Sequence, residues 1–237
     1  MIRRYKYLRV YSELSYNSYC QLSDYPFINT LYPSRPKNFN RSSTKNSRLI
    51  KFNYDIRSLY SGLGVILQDS YLENHSNHVS DYCLKLGKAL GLRGKVLQDL
   101  ELAGMLHDIG KAYIPKDIIN KTGKLNDQEW KIVRTHPRIG YNILSTVEEY
   151  SNLAEYALYH HERIDGKGYP EGLKGEQIPF PSRIIAVVDA YEAMTEDRPY
   201  RKALSQAEAI AELRKYSNQQ FDKDIVDVFI EKVLKTL

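Results

Sequence analysis

From about residue 55 onward the apolar residues recur at intervals of three and four, as in Val79, Cys83, Leu86 and Leu90. That is the period of a helix buried along one stripe, not of a strand. No two alternating segments are joined by a turn signal, so the pattern predicts an all-α helical bundle. Gly91-Leu92-Arg93-Gly94 ends one helix at about Leu90, and the next runs from Lys95 to His107 and Asp108 with Leu97, Leu100 and Met105 as apolar contacts. After Pro115 and the loop Lys121-Thr122-Gly123-Lys124, Asn126 or Asp127 is the N-cap of a helix through Trp130 and Val133. His136-Pro137 interrupts or kinks it. Further helices are predicted over Ile139 to Val147, Asn152 to His161, Arg183 to Met194, and about 205–216 and 222–236.

Charge divides the chain. The net charge is +5, but residues 1–51 carry ten Lys or Arg against Glu13 and Asp24, leaving the remainder mildly acidic. Residues 1–54 are a basic arm rich in Tyr, Ser and Asn, without a hydrophobic period, and are expected to be poorly ordered. Charge alone is weak ground for a nucleic-acid role, and no stable nucleic-acid complex is expected. No apolar run approaches the ~18 residues of a membrane span, and the basic start lacks the apolar core of a signal peptide, so the expected location is cytoplasmic. Cys20 and Cys83 have no second thiol at ligand spacing and make no disulfide framework.

The chemistry gathers around histidine. The chain has six, and two of them stand side by side in His160-His161-Glu162-Arg163-Ile164-Asp165-Gly166-Lys167-Gly168-Tyr169-Pro170. Fifty residues earlier lies His107-Asp108-Ile109-Gly110-Lys111; His75, His78 and His136 complete the set. Imidazole mixed with carboxylate suits iron, manganese or zinc better than calcium or magnesium. Asp189 follows Ile184, Ile185, Ala186, Val187 and Val188, so its carboxylate is expected to face an apolar interior and to need a partner. The partner is either a metal or an arginine, Arg183 or Arg198.

His75-Ser76, the HDIGK segment at 107–111, His136-Pro137, HHERIDGKGYP at 160–170 and DRPYR at 197–201 resemble, in order and spacing, the HD-GYP subfamily of HD-superfamily phosphodiesterases. The resemblance covers roughly residue 60 to the end, so residues 55–237 are expected to form an HD-GYP catalytic domain with a binuclear metal site. It implies that Asp108 bridges two divalent transition metal ions, with His75, His107 and Asp189 completing one and His136, His160 and His161 the other. Some members carry a glutamate four residues before the first histidine and hold a third metal; that position is Tyr71 here, Glu73 is out of phase, and two metals are expected. His78 stands where the family commonly has arginine. It is expected to hydrogen-bond behind the ligands or face solvent rather than coordinate.

The activity implied is hydrolysis of cyclic di-GMP to linear pGpG, with further cleavage to GMP open. In that reading Lys111, Tyr169, Arg198 and Arg201 contact the substrate, Lys111 and the arginines through its phosphates. Glu162 and Asp165 orient imidazoles or brace the Gly166-Gly168 turn. Two alternatives stand beside it: a non-hydrolytic cyclic dinucleotide receptor, which the complete ligand set disfavours, and a phosphodiesterase for hybrid cyclic dinucleotides. A regulatory protein partner or a homodimer is compatible with either.

Overall fold

The computed structural model describes residues 70–145, 148–197 and 202–236, with the side chains of 70–73 and 236 left out. The arm expected over residues 1–54 lies outside these residues, as do Arg198 and Arg201. Among the described residues the chain is all-α, with no strand beyond an isolated bridge between Ser217 and Phe221. No helix there is long and apolar enough to cross a membrane.

Nine α-helices are described: α1 (Ser70–Ala89), α2 (Gly94–Leu106), α3 (Lys116–Ile119), α4 (Asp127–Val133), α5 (His136–Ser145), α6 (Ser151–Leu158), α7 (Phe180–Thr195), α8 (Gln206–Lys215) and α9 (Lys223–Lys232). α1 packs along α2 and against α7 and α9, α2 against α6, and α5 against α6. Their shared interior holds Val79, Cys83 and Leu86 from α1, Leu100 and Ala103 from α2, Leu153 and Ala157 from α6, Ile184, Ile185 and Val188 from α7, and Phe229 from α9, all nearly or wholly buried. Tyr82, Tyr191 and Phe229 meet edge to face across α1, α7 and α9, with ring centres 5.2 to 5.7 Å apart. This is a favoured aromatic geometry.

Several helix boundaries differ from the sequence reading for local reasons. His107 leaves α2 as its C-cap, and Asp108 precedes a 3-10 turn (Ile109–Tyr113). His136-Pro137 does not kink one helix but starts a second: α4 closes at Val133 and Pro137 occupies the first turn of α5, where a missing N–H costs little. α4 opens on Asn126 with a reciprocal capping box to Glu129. α3 was not anticipated, and α6 stops at Leu158, leaving His160 and His161 in the turn beyond it.

Two glycines permit the close approaches that build the centre. A Cβ on Gly110 would overlap the His136 carbonyl oxygen and lie 2.7 Å from the Gly140 amide nitrogen, so only glycine lets the Asp108 turn rest on α5. Gly168 lies so close to the chain at Glu162 and Arg163 that a Cβ would sit 2.5 Å from the Arg163 nitrogen.

Candidate metal centre

Each imidazole enters the interior by extending an apolar stripe. On α1 the inward positions Cys83 and Val79 continue to His75; on α2 Leu100 and Ala103 continue to His107; on α6 Leu153 and Ala157 continue to His160 and His161. On α7 Ile185 and Val188 lead to Asp189 and Glu192. The helical period that builds the core therefore also carries these side chains to one end of it.

Three of the histidines are held by the same device. His107 donates Nδ1–H to the Gly104 carbonyl (2.7 Å), His136 to Val133 (2.7 Å) and His160 to Ala157 (2.6 Å). Each carbonyl belongs to the last turn of a helix, where no backbone donor remains, so the imidazole caps the helix that precedes it. A carbonyl can only accept, so Nδ1 carries the donated hydrogen and Nε2 is the nitrogen that faces inward. His75 is fixed differently: its Nδ1–H goes to Glu192, a residue absent from the sequence reading. The signal was there, in a glutamate three residues after Asp189 on an otherwise apolar helical face.

The inward nitrogens surround two carboxylates. Asp108 Oδ1 lies 3.2 Å from His136 Nε2 and 3.8 Å from His160 Nε2, while Oδ2 lies 3.3 Å from His107 Nε2 and 3.8 Å from His75 Nε2. Asp189 Oδ1 is 3.3 Å from His75 Nε2 and 3.8 Å from His107 Nε2. Asp108, His136, His160 and His161 form one group whose donor atoms lie within 4.8 Å of one another, and His75, His107 and Asp189 form another. His75, Glu192 and Glu196 form a third by the same measure. The donor set fits metal ions on a separate observation: His107 Nε2 and Asp108 Oδ1 are buried and make no hydrogen bond, which for such groups carries a desolvation cost unless something occupies the space they face.

Electrostatics split the centre. Burial alone would raise the Asp108 pKa, but Lys111, His107 and His136 outweigh it and hold the carboxyl well below the usual range. Asp189 is likewise held low, His107 and His75 overcoming its burial. Burial depresses His107, yet Asp108 and Asp189 reverse this and lift it to about 10. On the other side, burial and then neighbouring histidines push His160 well below its ordinary value and His161 down to about 3. Lys111 donates to Asp108 Oδ2 and keeps a quarter of its side chain exposed, so its ammonium joins the carboxylate to the open side. The Tyr169 ring lies 4.8 Å from that of His161, and burial together with Asp108 and Asp189 pushes its phenol up, keeping it protonated.

Asp189 is not enclosed in an apolar interior but keeps 18% of its side chain exposed at the edge of the centre, and Arg183 pairs with Asp222 at 2.6 Å. His78 is 56% exposed and reaches Glu192 Oε1 at 3.4 Å, behind His75. Glu162 and Asp165 brace the loop: Glu162 accepts from the Glu171 and Gly172 amides, and Asp165 binds Arg163 and the Lys167 amide. Tyr71 and Glu73 fall among the undescribed side chains.

An all-helical bundle with His-Asp side by side at the centre of a histidine cluster defines an HD domain. The HD domain family matches residues 64–225, and the chain belongs to that family and, within it, to the HD-GYP group. It is 43% identical over 166 residues to a cyclic di-GMP phosphodiesterase of Pseudomonas aeruginosa, covering 70% of this chain and 40% of that one. It is 41% identical over 157 residues to the 3′3′-cGAMP-specific phosphodiesterase 1 of Vibrio cholerae, covering 66% and 36%. The chain thus spans well under half the length of these relatives. Among solved structures, a Vibrio cholerae cyclic GMP-AMP phosphodiesterase superimposes with a TM-score of 0.56 at 20% identity, over 75% of this chain and 48% of that one. The Listeria monocytogenes PgpH HD domain in complex with cyclic-di-AMP does so with 0.53 at 19%, over 73% and 93%.

Proposed function

We propose that the domain is a metal-dependent phosphodiesterase that hydrolyses cyclic di-GMP to linear pGpG. The observation that carries this reading is the Asp108 carboxylate, one oxygen facing His136 and His160 and the other facing His75 and His107. A carboxylate so placed suits a pair of cations. His75, His107 and Asp189 would hold one ion, His136, His160 and His161 the other, and Asp108 both; iron or manganese suits the donors best, zinc also. When bound, the ions would supply Lewis acidity at the phosphoryl group and a lowered pKa for water.

The chain's own residues supply the rest. Buried neutral His160 and His161 offer lone pairs without first losing a proton. The Lys111 ammonium stands beside Asp108 on the open side, where it can meet a phosphate oxygen and balance charge that grows as the P–O3′ bond breaks. Tyr169, kept protonated, can donate a hydrogen bond to a substrate oxygen. Arg198 and Arg201 complete the phosphate contacts in this reading. The relatives named for cyclic di-GMP favour that substrate, while those named for 3′3′-cGAMP make the hybrid dinucleotide the second candidate. Incubating the metal-loaded protein with each nucleotide, followed by chromatography, tests both. Release of pGpG supports the reading, and unaltered cyclic di-GMP under every metal tried refutes it.

A further inference from the structure

α4 has no buried residue, yet it carries Trp130, 46% exposed, and Ile132, 39% exposed. The helix is nevertheless fixed: its capping box closes on Asn126 and Glu129, and Lys121 reaches both Glu129 oxygens at 2.7 Å. Its next residue, Arg134, places its guanidinium carbon 5.9 Å from the centre of the Trp130 ring and 5.4 Å from that of Tyr169. Packing between residues four apart on a helix accounts for the first contact. It does not account for the second, because Tyr169 comes from a different loop. Tyr169 lies at 32° to the His161 ring, and His161 is 5.0 Å from His136. A row of flat groups, indole, guanidinium, phenol and imidazole, therefore runs from solvent to the histidine cluster.

We infer that Trp130 and Arg134 form the base-binding lip of the site, on which a guanine of the cyclic dinucleotide stacks. The inference rests on the phosphodiesterase reading and adds what holds the base. If the phosphates lie at the cluster, the purines must lie beside it, and the row beginning at His161 is where flat surface is offered. The indole supplies a broad π face, and a guanidinium can both stack on a purine and donate to the O6 and N7 acceptors that distinguish guanine. The positive charge of Arg134 also complements an anionic ligand.

Trp130 is the chain's only tryptophan, so its fluorescence reports on this residue alone. Stopped-flow mixing of the metal-loaded protein with cyclic di-GMP is expected to quench it saturably before turnover, whereas ribose 5-phosphate, which lacks the base, leaves it unchanged. In steady-state assays Trp130→Ala is expected to raise KM for cyclic di-GMP roughly ten-fold or more with a smaller change in kcat, as loss of one base stack implies. Trp130→Phe should restore most of the loss, and Arg134→Lys, which keeps charge but not the plane, should behave like Arg134→Ala. Because α4 has no fully buried residue, these variants are expected to fold, which their melting temperatures check. An unquenched indole with unchanged KM in Trp130→Ala overturns the lip while hydrolysis, and the functional reading, stands. Equal quenching by ribose 5-phosphate also overturns it. A wild-type protein that neither binds nor hydrolyses cyclic di-GMP removes the lip and the functional reading together.

Discussion

Glu192 accepts the Nδ1–H of His75 from 117 residues further along the chain, leaving the other nitrogen of that imidazole to face Asp189 and Asp108. Carboxylates behind ligating imidazoles set ring orientation and basicity, and their loss typically weakens metal binding about 10- to 100-fold. Glu192→Ala is accordingly expected to lower metal affinity by about that factor with the helical fold retained. Competition against a fluorescent chelator measures it, and an unchanged affinity would show that packing alone orients His75.

Among the described residues, Asp108 is the carboxylate whose two oxygens lie within 3.8 Å of imidazole nitrogens of both histidine groups. Asp108→Ala is therefore expected to lose both metals, whereas His161→Ala keeps the His75, His107 and Asp189 group intact and retains one. Metal per chain by elemental analysis separates the two cases. Two metals bound to Asp108→Ala would mean that the carboxylate does not bridge.

Metal binding should release protons. In the metal-free chain His107 holds its proton up to about pH 10, chiefly through Asp108 and Asp189 acting against burial, and a metal takes only the neutral imidazole. Affinity is thus expected to rise up to about tenfold per pH unit for this proton, levelling above about pH 10. His75, also raised, adds to the release, while His160 and His161 are already neutral. Calorimetric titration at pH 7.5 in buffers of different ionisation enthalpy should show release of at least about one proton per chain.

The same shift bears on the metal-free fold. A folded pKa raised above 6.5 stabilises fully below 6.5, and that contribution is lost as pH rises through about 10. The melting temperature of the metal-free protein should therefore decline between these values, and the metal-loaded protein should not follow it. Parallel melts at pH 6, 8 and about 10 would decide; a metal-free curve that is flat across this window would contradict the coupling.

Gly110→Ala tests the approach of the Asp108 turn to α5. Its Cβ would collide with the His136 carbonyl, and overpacking of this kind costs about 1–3 kcal/mol. At about 2–4 °C per kcal/mol for a domain of this size, the loss should be plain in a thermal melt. Metal content should fall with it, since the turn carries Asp108 and α5 begins with His136.

What could be read from the sequence follows from local rules. Residues three and four apart share a helix face, so the period of Val79, Cys83 and Leu86 was enough to predict helices, and the cap at Asn126 or Asp127, the Gly91 stop and the spacing of the histidine motifs were legible from local rules as well. The boundaries at His107, His136 and His160 were not, because each histidine departs from the helix it follows and caps that helix with its own ring. No periodicity encodes that choice.

The sequence alone determined the helical class, the resemblance that named seven residues as a possible metal set, and the chemistry such a set allows. Only the tertiary structure decided that His75 leans on Glu192, that Asp189 opens toward the edge rather than an apolar interior, that Gly110 rests on the His136 carbonyl, and that Arg134 comes within 6 Å of the Trp130 and Tyr169 rings. These contacts depend on how one helix is rotated and translated against another. That is settled by packing the whole interior at once, and no local stretch of sequence specifies it.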